Sequence, residues 1–238
     1  MSTDGEIAQR LARLRARVAA AAGRAGRRPE DVTVLGVSKR VSAERVAEGV
    51  RAGLSDVAEN YAQEAQHKLP AVRALLEGSR HKPPKWHFIG QLQRNKARVV
   101  APAFDVVQSV DRARLGAELD RRAAAAARRL DVLLQVDLSA ESGKGGSDPE
   151  QLALLLEASR TWRQLRVTGL MAIPAPADDP ETLRPAFARL RSLRDTLRSR
   201  PGGEQLVELS MGMSADFEIA IEEGATIVRI GTALFGAR

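Results

Sequence analysis

Eight short β-branched runs recur along this 238-residue chain, and helical stretches separate them. The runs are Val32–Val37, Asp56–Ala58, Trp86–Ile89, Asp105–Gln108, Asp131–Leu138, Arg166–Ile173, Gln205–Leu209 and Thr226–Ile230. Such alternation predicts parallel strands joined by helical crossovers, and eight repeats favour a (β/α)8 TIM barrel over a doubly wound sheet. The expected helices are Ser42–Ala52, Asn60–Leu76, Arg94–Val100, Asp111–Arg129, Asp148–Arg160, Pro180–Ser199 and Ser214–Glu223. Ser42 and Asp111 are the expected N-caps, and Pro149 suits a first turn. Only Thr232–Arg238 remains after the eighth run, too little for a full helix. An extra amphipathic helix, about Glu6–Ala22, precedes the first run and is expected to cover that side of the barrel. With no linker in view, residues 1–238 are expected to form a single α/β barrel domain.

Composition narrows the function classes. Hydrophobic residues make up 44% of the chain, enough for a sizeable core. The absence of cysteine excludes disulfides, thiolate metal sites and cysteine nucleophiles. No apolar run approaches a membrane span and no secretory signal is visible, so a cytoplasmic protein without membrane association is expected. The net charge of +7 raises a nucleic-acid reading. Against it, the arginines are spread along amphipathic helices, as in Arg10, Arg13 and Arg17 or Arg189, Arg191, Arg194 and Arg198. Aromatics are only 3%, poor for base stacking. A solvated arginine-rich surface is the plainer reading, and no nucleic-acid partner is expected.

The chemistry-bearing residues gather at strand ends. Leu35-Gly36-Val37-Ser38-Lys39-Arg40 closes the first run with a lysine, in a chain with only six: Lys39, Lys68, Lys82, Lys85, Lys96 and Lys144. The C-terminal edge of a parallel strand is where barrel enzymes keep their reactive groups. A desolvated amine there is a candidate for a Schiff base, with an ordinary surface lysine as the alternative. Period-2 alternation puts Leu35, Val37 and Lys39 on one face. In the last run Ile227 and Arg229 share a face, while Val228 and Ile230 oppose it. Arg229 needs an acceptor there, either a structural ion-pair partner or a ring nitrogen. Gly231-Thr232 and Ser210-Met211-Gly212-Met213-Ser214 follow the last two runs, where barrels commonly bind phosphate; a helix N-terminus at Ser214 would help, and a capped turn is the alternative. Glu59-Asn60-Tyr61 ends the second run as polar site residues or a helix cap. Gly143-Lys144-Gly145-Gly146 fails as a phosphate loop, because no Ser or Thr follows the lysine. His67, His81 and His87 lack metal-ligand spacing, and no metal is expected.

Taken together these segments resemble the pyridoxal 5′-phosphate homeostasis protein family over nearly the whole chain. The resemblance rests on Val37-Ser38-Lys39, Glu59-Asn60-Tyr61-Ala62-Gln63-Glu64 and, most specifically, Trp86-His87-Phe88-Ile89-Gly90-Gln91-Leu92-Gln93-Arg94-Asn95-Lys96. It extends through Glu141-Ser142-Gly143-Lys144-Gly145-Gly146, Gly169-Leu170-Met171, Leu209–Phe217 and Val228–Thr232. Ala58 and Arg40 depart from the family pattern without removing a group of proposed chemical role. The resemblance implies a fold-type III barrel like the N-terminal domain of alanine racemase, binding pyridoxal 5′-phosphate. Lys39 would form the internal aldimine and Arg229 would face the pyridine nitrogen. Ser210, Gly231 and Thr232 would hold the phosphate, with Asn60 near the ring. The family is regarded as a carrier or regulator of the cofactor without established turnover, so no catalytic residue is assigned. Apo forms of enzymes that use the cofactor are the expected recipients, and a monomer is the expected state. The rival readings are an amino-acid racemase, for which Tyr61 is the only tyrosine, and a basic nucleic-acid-binding module.

Overall fold

A computed structural model of the chain describes residues 5–138, 145–175 and 177–236. Its strands are β1 (Thr33–Val37), β2 (Asp56–Glu59), β3 (Lys85–Phe88), β4 (Val106–Val110), β5 (Leu130–Val136), β6 (Leu165–Ala172), β7 (Glu208–Ser210) and β8 (Ile227–Ile230). All neighbours are parallel and the order around the barrel is the chain order, with β8 paired back onto β1. The helices are α1 (Glu6–Arg24), α2 (Ala43–Arg51), α3 (Ala62–Leu76), α4 (Ala97–Ala103), α5 (Ala113–Ala125), α6 (Leu152–Ser159), α7 (Arg184–Arg198), α8 (Phe217–Glu222) and α9 (Thr232–Phe235). The expected barrel is therefore the observed one.

Alternation along each strand sorts its side chains into two cores. Leu35, Val37, Ala58, Ile89, Val106, Leu133, Met171 and Ile227 pack together inside the barrel. Val107, Val132, Leu134, Val228 and Ile230 point outward into the larger core beneath the helices. The expected faces of β1 and β8 are thus the observed ones. Ala58, one of the two departures noted above, is fully buried among the interior residues, so its methyl is accommodated.

Helix α1 occupies the place of the missing outer helix. It packs against α8, α9 and α2, closing the ring of helices beside the β8–β1 seam. Ile7, Leu11, Leu14, Val18, Ala21 and Ala22 form its buried stripe, the spacing a helical face requires. Its polar edge is tied down too: Arg17 pairs with Glu218 at 2.7 Å and Arg24 with Glu222 at 2.7 Å.

Most helix starts fall later than the sequence expectation: α3 at Ala62, α4 at Ala97 and α7 at Arg184, and α5, α6 and α8 for reasons visible at their caps. Ser42 does cap α2, accepting from the Arg45 N–H at 3.4 Å. Asp111 does not cap α5, which begins at Ala113 after Arg112; its carboxylate is taken by the Arg112 guanidinium at 2.7 Å. Asp148 and Pro149 belong to a turn before α6, with the Asp148 side chain accepting from the Glu150 N–H at 3.0 Å. Helix α8 begins at Phe217 rather than Ser214, because Asp216 folds back to accept the Met213 N–H.

If α1 is a structural member of the barrel, Leu11→Ala should cost about 2–5 kcal/mol, as for other buried leucines. Urea denaturation would measure it, and a loss below about 1 kcal/mol would mean that α1 only decorates the fold.

Candidate functional site

Barrel closure makes β7, β8, β1 and β2 consecutive around the ring. Ser210 ends β7, Gly231 and Thr232 follow β8, Lys39 lies just beyond β1, and Asn60 lies just beyond β2. All six site residues, Arg229 included, therefore belong to one contiguous arc at or near the C-terminal strand ends. Residues nearly two hundred positions apart are neighbours there, because Leu35 is in register with Arg229.

Lys39 is half-buried, and among the described residues its amine has no hydrogen-bond or ion-pair partner. The loop around it is held firmly. Ser38 donates its N–H to the Ala58 carbonyl at 2.9 Å and its hydroxyl to Glu59 Oε1 at 2.6 Å. Lys68, on α3, sends its ammonium into the same place, donating to the Ser38 carbonyl, Glu59 Oε1 and Glu64 Oε1, each at 2.6 Å. Glu59 is fully buried. Burial pushes its carboxyl above the ordinary range, against the pull of the Lys68 and Ser38 hydrogen bonds.

Asn60 is half-buried, and its Oδ1 is enclosed with no hydrogen-bond partner among the described residues. The chain passes close by: a β-carbon on Gly90 would lie 2.0 Å from the Asn60 carbonyl oxygen. Glycine at that point of the family-like segment lets the β3 end approach the β2 end.

Arg229 is buried inside the barrel at 3% exposure. Its acceptors are carbonyls and a hydroxyl: Nη1 donates to the Ser210 carbonyl at 2.7 Å and to Ser210 Oγ at 2.8 Å, and Nη2 donates to the Ala172 carbonyl at 2.8 Å. The ion-pair alternative is thus not what is seen. A guanidinium carries five N–H donors, so two remain after these three bonds. Desolvation lowers its pKa to about 10, opposed by the charge of Asp216, and it stays cationic at neutral pH.

Ser210 is more committed than the sequence suggested. Its hydroxyl accepts from Arg229 and donates to Gln108 Oε1 at 2.7 Å. Gln108 Nε2 lies 2.9 Å from His87 Nδ1, and His87 Nε2 lies 2.9 Å from Asp56 Oδ1. A continuous hydrogen-bonded chain thus crosses the barrel interior from Arg229 to Asp56. It accounts for His87 as a structural residue. A phosphate-binding role for the Ser210 hydroxyl would require its hydrogen to leave Gln108. Gly231 is half-buried and Thr232 exposed at the start of α9, where the first N–H groups of a helix have no internal acceptors. The Ser214 anion site does not form as expected, since Asp216 takes the Met213 N–H in that turn.

The opposite barrel mouth is charged rather than reactive. Asp131 pairs with Lys85 at 3.3 Å and with Arg166 at 2.8 Å. Together with His87 and Glu208 they line a cavity of about 520 Å³ there. Glu141, Ser142, Gly143 and Lys144 of the family-like motif lie outside the described residues. Sequence reasoning missed Lys68, Gln108, Asp56 and Asp216. Only the Glu64–Lys68 spacing of four on α3 signalled a pair in advance; the rest meet through long-range packing.

The sequence matches the alanine racemase N-terminal domain family over residues 9–238. It is 47% identical over 232 residues to the pyridoxal phosphate homeostasis protein of Pseudomonas aeruginosa, covering 98% of this chain and 96% of that protein. With the protein of the same name from Aquifex aeolicus it shares 44% over 231 residues, 97% of each. Among solved structures, PipY of Synechococcus elongatus with bound pyridoxal phosphate superposes with a TM-score of 0.84 at 35% identity, over 97% of this chain and 100% of that one. An alanine racemase from Clostridium difficile shares the fold, with a TM-score of 0.66 at 14% identity over 87% of this chain and 56% of its own.

The buried chain makes a testable statement about pH. Burial pushes the Asp56 carboxyl up, but hydrogen bonds from His87 and Ser55 with the nearby charges pull it below its ordinary value of 3.8. A carboxyl lowered by folding stabilises the protein above its unfolded pKa and loses that contribution as pH falls through the folded value. The stability lost to Asp56→Asn should therefore be largest near neutral pH and shrink below about pH 4. Urea melts across that range would check it, and a pH-independent difference would remove Asp56 from this role.

Proposed function

The chain belongs to the pyridoxal phosphate homeostasis protein family, and from that membership we propose that it binds pyridoxal 5′-phosphate and takes part in cofactor homeostasis in the cytoplasm. The single observation that carries the assignment to this site is the contrast between two lysines. All three hydrogens of the Lys68 ammonium have acceptors, whereas Lys39, one strand end away, has none among the described residues. Of the two, Lys39 is the one whose amine is left to offer.

The residues present fit the cofactor. When bound, pyridoxal 5′-phosphate supplies an aldehyde that a lysine amine captures reversibly. Lys39 presents that amine on a loop whose backbone is fixed from both sides. Among the described residues, Arg229 keeps two N–H donors free, suited to an acceptor nitrogen. As a guanidinium cationic at neutral pH, it donates a hydrogen bond without readily surrendering its proton. Asn60 has an enclosed oxygen still lacking a donor. Gly231 and Thr232 offer backbone N–H groups to the phosphate, and Ser210 orients Arg229 and can join the phosphate contact if it releases Gln108.

The protein is proposed to carry the cofactor without efficient turnover, as a monomeric barrel spanning residues 1–238, and to hand it to apo-enzymes. The names of its relatives support this, and so does the arginine, which does not favour the strong electron sink that carbanion chemistry needs. A racemase would need acid–base groups on both faces of the ring. Tyr61, the one tyrosine, is half-exposed at the start of α3, and its hydroxyl has no hydrogen-bond partner among the described residues.

Borohydride reduction of the loaded protein, followed by peptide mapping, should place the pyridoxyl group on Lys39. The loaded protein should also leave the chirality of L-amino acids unchanged over many hours. Label confined to Lys68 or another lysine refutes the site, and rapid Lys39-dependent racemisation refutes the carrier reading.

The phosphate grip should be visible in affinity. Charge-assisted hydrogen bonds contribute about 1.5–3 kcal/mol each, so pyridoxal 5′-phosphate should bind at least about tenfold tighter than pyridoxal. Gly231→Val should erase most of that difference. Equal affinities for the two ligands in the native protein would remove Gly231 and Thr232 from the phosphate role.

A further inference from the structure

The geometry points to Glu64 and Lys68 as positioning residues for Lys39, an inference that rests on the cofactor reading above. Neither touches the Lys39 side chain. They hold the main chain on either side of it. Lys68 donates to the Ser38 carbonyl at 2.6 Å, and Glu64 Oε1 accepts the Arg40 N–H at 2.7 Å. The same Glu64 oxygen accepts from Lys68, so one ion pair spans the two anchor points.

The arrangement solves a specific problem. Arg40 has φ +60°, in the left-handed region that a β-carbon disfavours. An arginine keeps that conformation when a fixed partner holds its N–H, and Glu64 is that partner. The turn is closed by the Val41 N–H donating to the Ser38 carbonyl at 2.9 Å. Lys39 is thus the middle residue of a segment clamped at both ends, with its own amine left out of the clamp. Glu59 anchors Lys68 from below, and as a buried carboxylate it would be costly to leave without that partner. Positioning a nucleophile this way spares the reaction the entropy of ordering its loop.

Glu64 is the position to vary, because its side chain is partly exposed and Glu59 still pairs with Lys68 without it. Full-length apo-protein would be mixed with pyridoxal 5′-phosphate and the visible absorbance of lysine capture followed in time. Glu64→Ala should slow capture about tenfold, in line with losing the alignment of a reacting group. Glu64→Gln keeps an oxygen for the Arg40 N–H and should recover most of the native rate. Pyridoxine 5′-phosphate, which has no aldehyde, should bind native protein and Glu64→Ala equally well. Native-rate capture by Glu64→Ala overturns the inference while leaving the cofactor reading intact, as does an equal loss of affinity for pyridoxine 5′-phosphate. Native protein that captures the aldehyde on a lysine other than Lys39 overturns both.

Discussion

The pairing of β8 with β1 is the interaction on which everything else depends. It closes the sheet and removes the edges that an open sheet would expose. It also sets the end of the chain against its beginning, so that Arg229 lies in register with Leu35 and the loops after both strands share one mouth. No local propensity encodes that contact. It follows once eight parallel strands are short enough and twisted enough to close. Helix α1 completes the closure from outside, packing against α8, α9 and α2 beside the seam.

Burying charge inside such a barrel demands acceptors, and the chain meets the demand in two different ways. At Arg229 the acceptors are strand-end carbonyls and the Ser210 hydroxyl. At Lys68 they are two carboxylates and one carbonyl. The first arrangement leaves donors over, and the second uses all of them. That difference in saturation is what the proposed roles rest on, Arg229 as a donor to a ligand and Lys68 as a holder of the scaffold. Removing either cation's partners would leave a buried charge uncompensated, at a cost of about 3–5 kcal/mol.

The fold was legible because its signal is repetitive. Strand, helix and the alternation that sends Leu35, Val37, Ile227 and Arg229 inward all follow from spacing along the chain. The arc of Lys39, Asn60, Ser210, Arg229, Gly231 and Thr232 was legible because each lies at or near a strand end. Its internal wiring was not. The Ser210 hydroxyl is drawn to Gln108, a partner 102 residues away. The start of α8 moved because Asp216 reaches back three residues, and Asp111 lost its cap to the adjacent Arg112. Ser210 meets its partner only through barrel closure, whereas Asp111 and Asp216 each bind a donor within three residues instead of serving the helix start that the spacing predicts.

Incomplete satisfaction distinguishes the C-terminal mouth from the opposite one, although Glu48 on α2 and Ser109 on β4 also bury an oxygen without a partner among the described residues. At the other mouth Asp131 is matched by Lys85 and Arg166. In the middle, the chain from Ser210 through Gln108 and His87 to Asp56 uses each of its members at least once. At the top, among the described residues, an enclosed Asn60 oxygen, a Lys39 amine and two Arg229 hydrogens remain without partners. An enclosed polar atom without a partner costs about 1–3 kcal/mol. A fold that keeps such atoms together at one strand edge is less stable alone than it needs to be. A ligand that binds the native state and not the unfolded chain recovers that stability by mass action. An acceptor ring nitrogen would take the spare Arg229 hydrogens and an aldehyde would engage the Lys39 amine, while the Asn60 oxygen calls for a donor such as a ring hydroxyl on the same molecule. A solvent-filled mouth would meet them only with mobile waters, which is the physical reason to read this arc as a binding site rather than a weak point in the barrel.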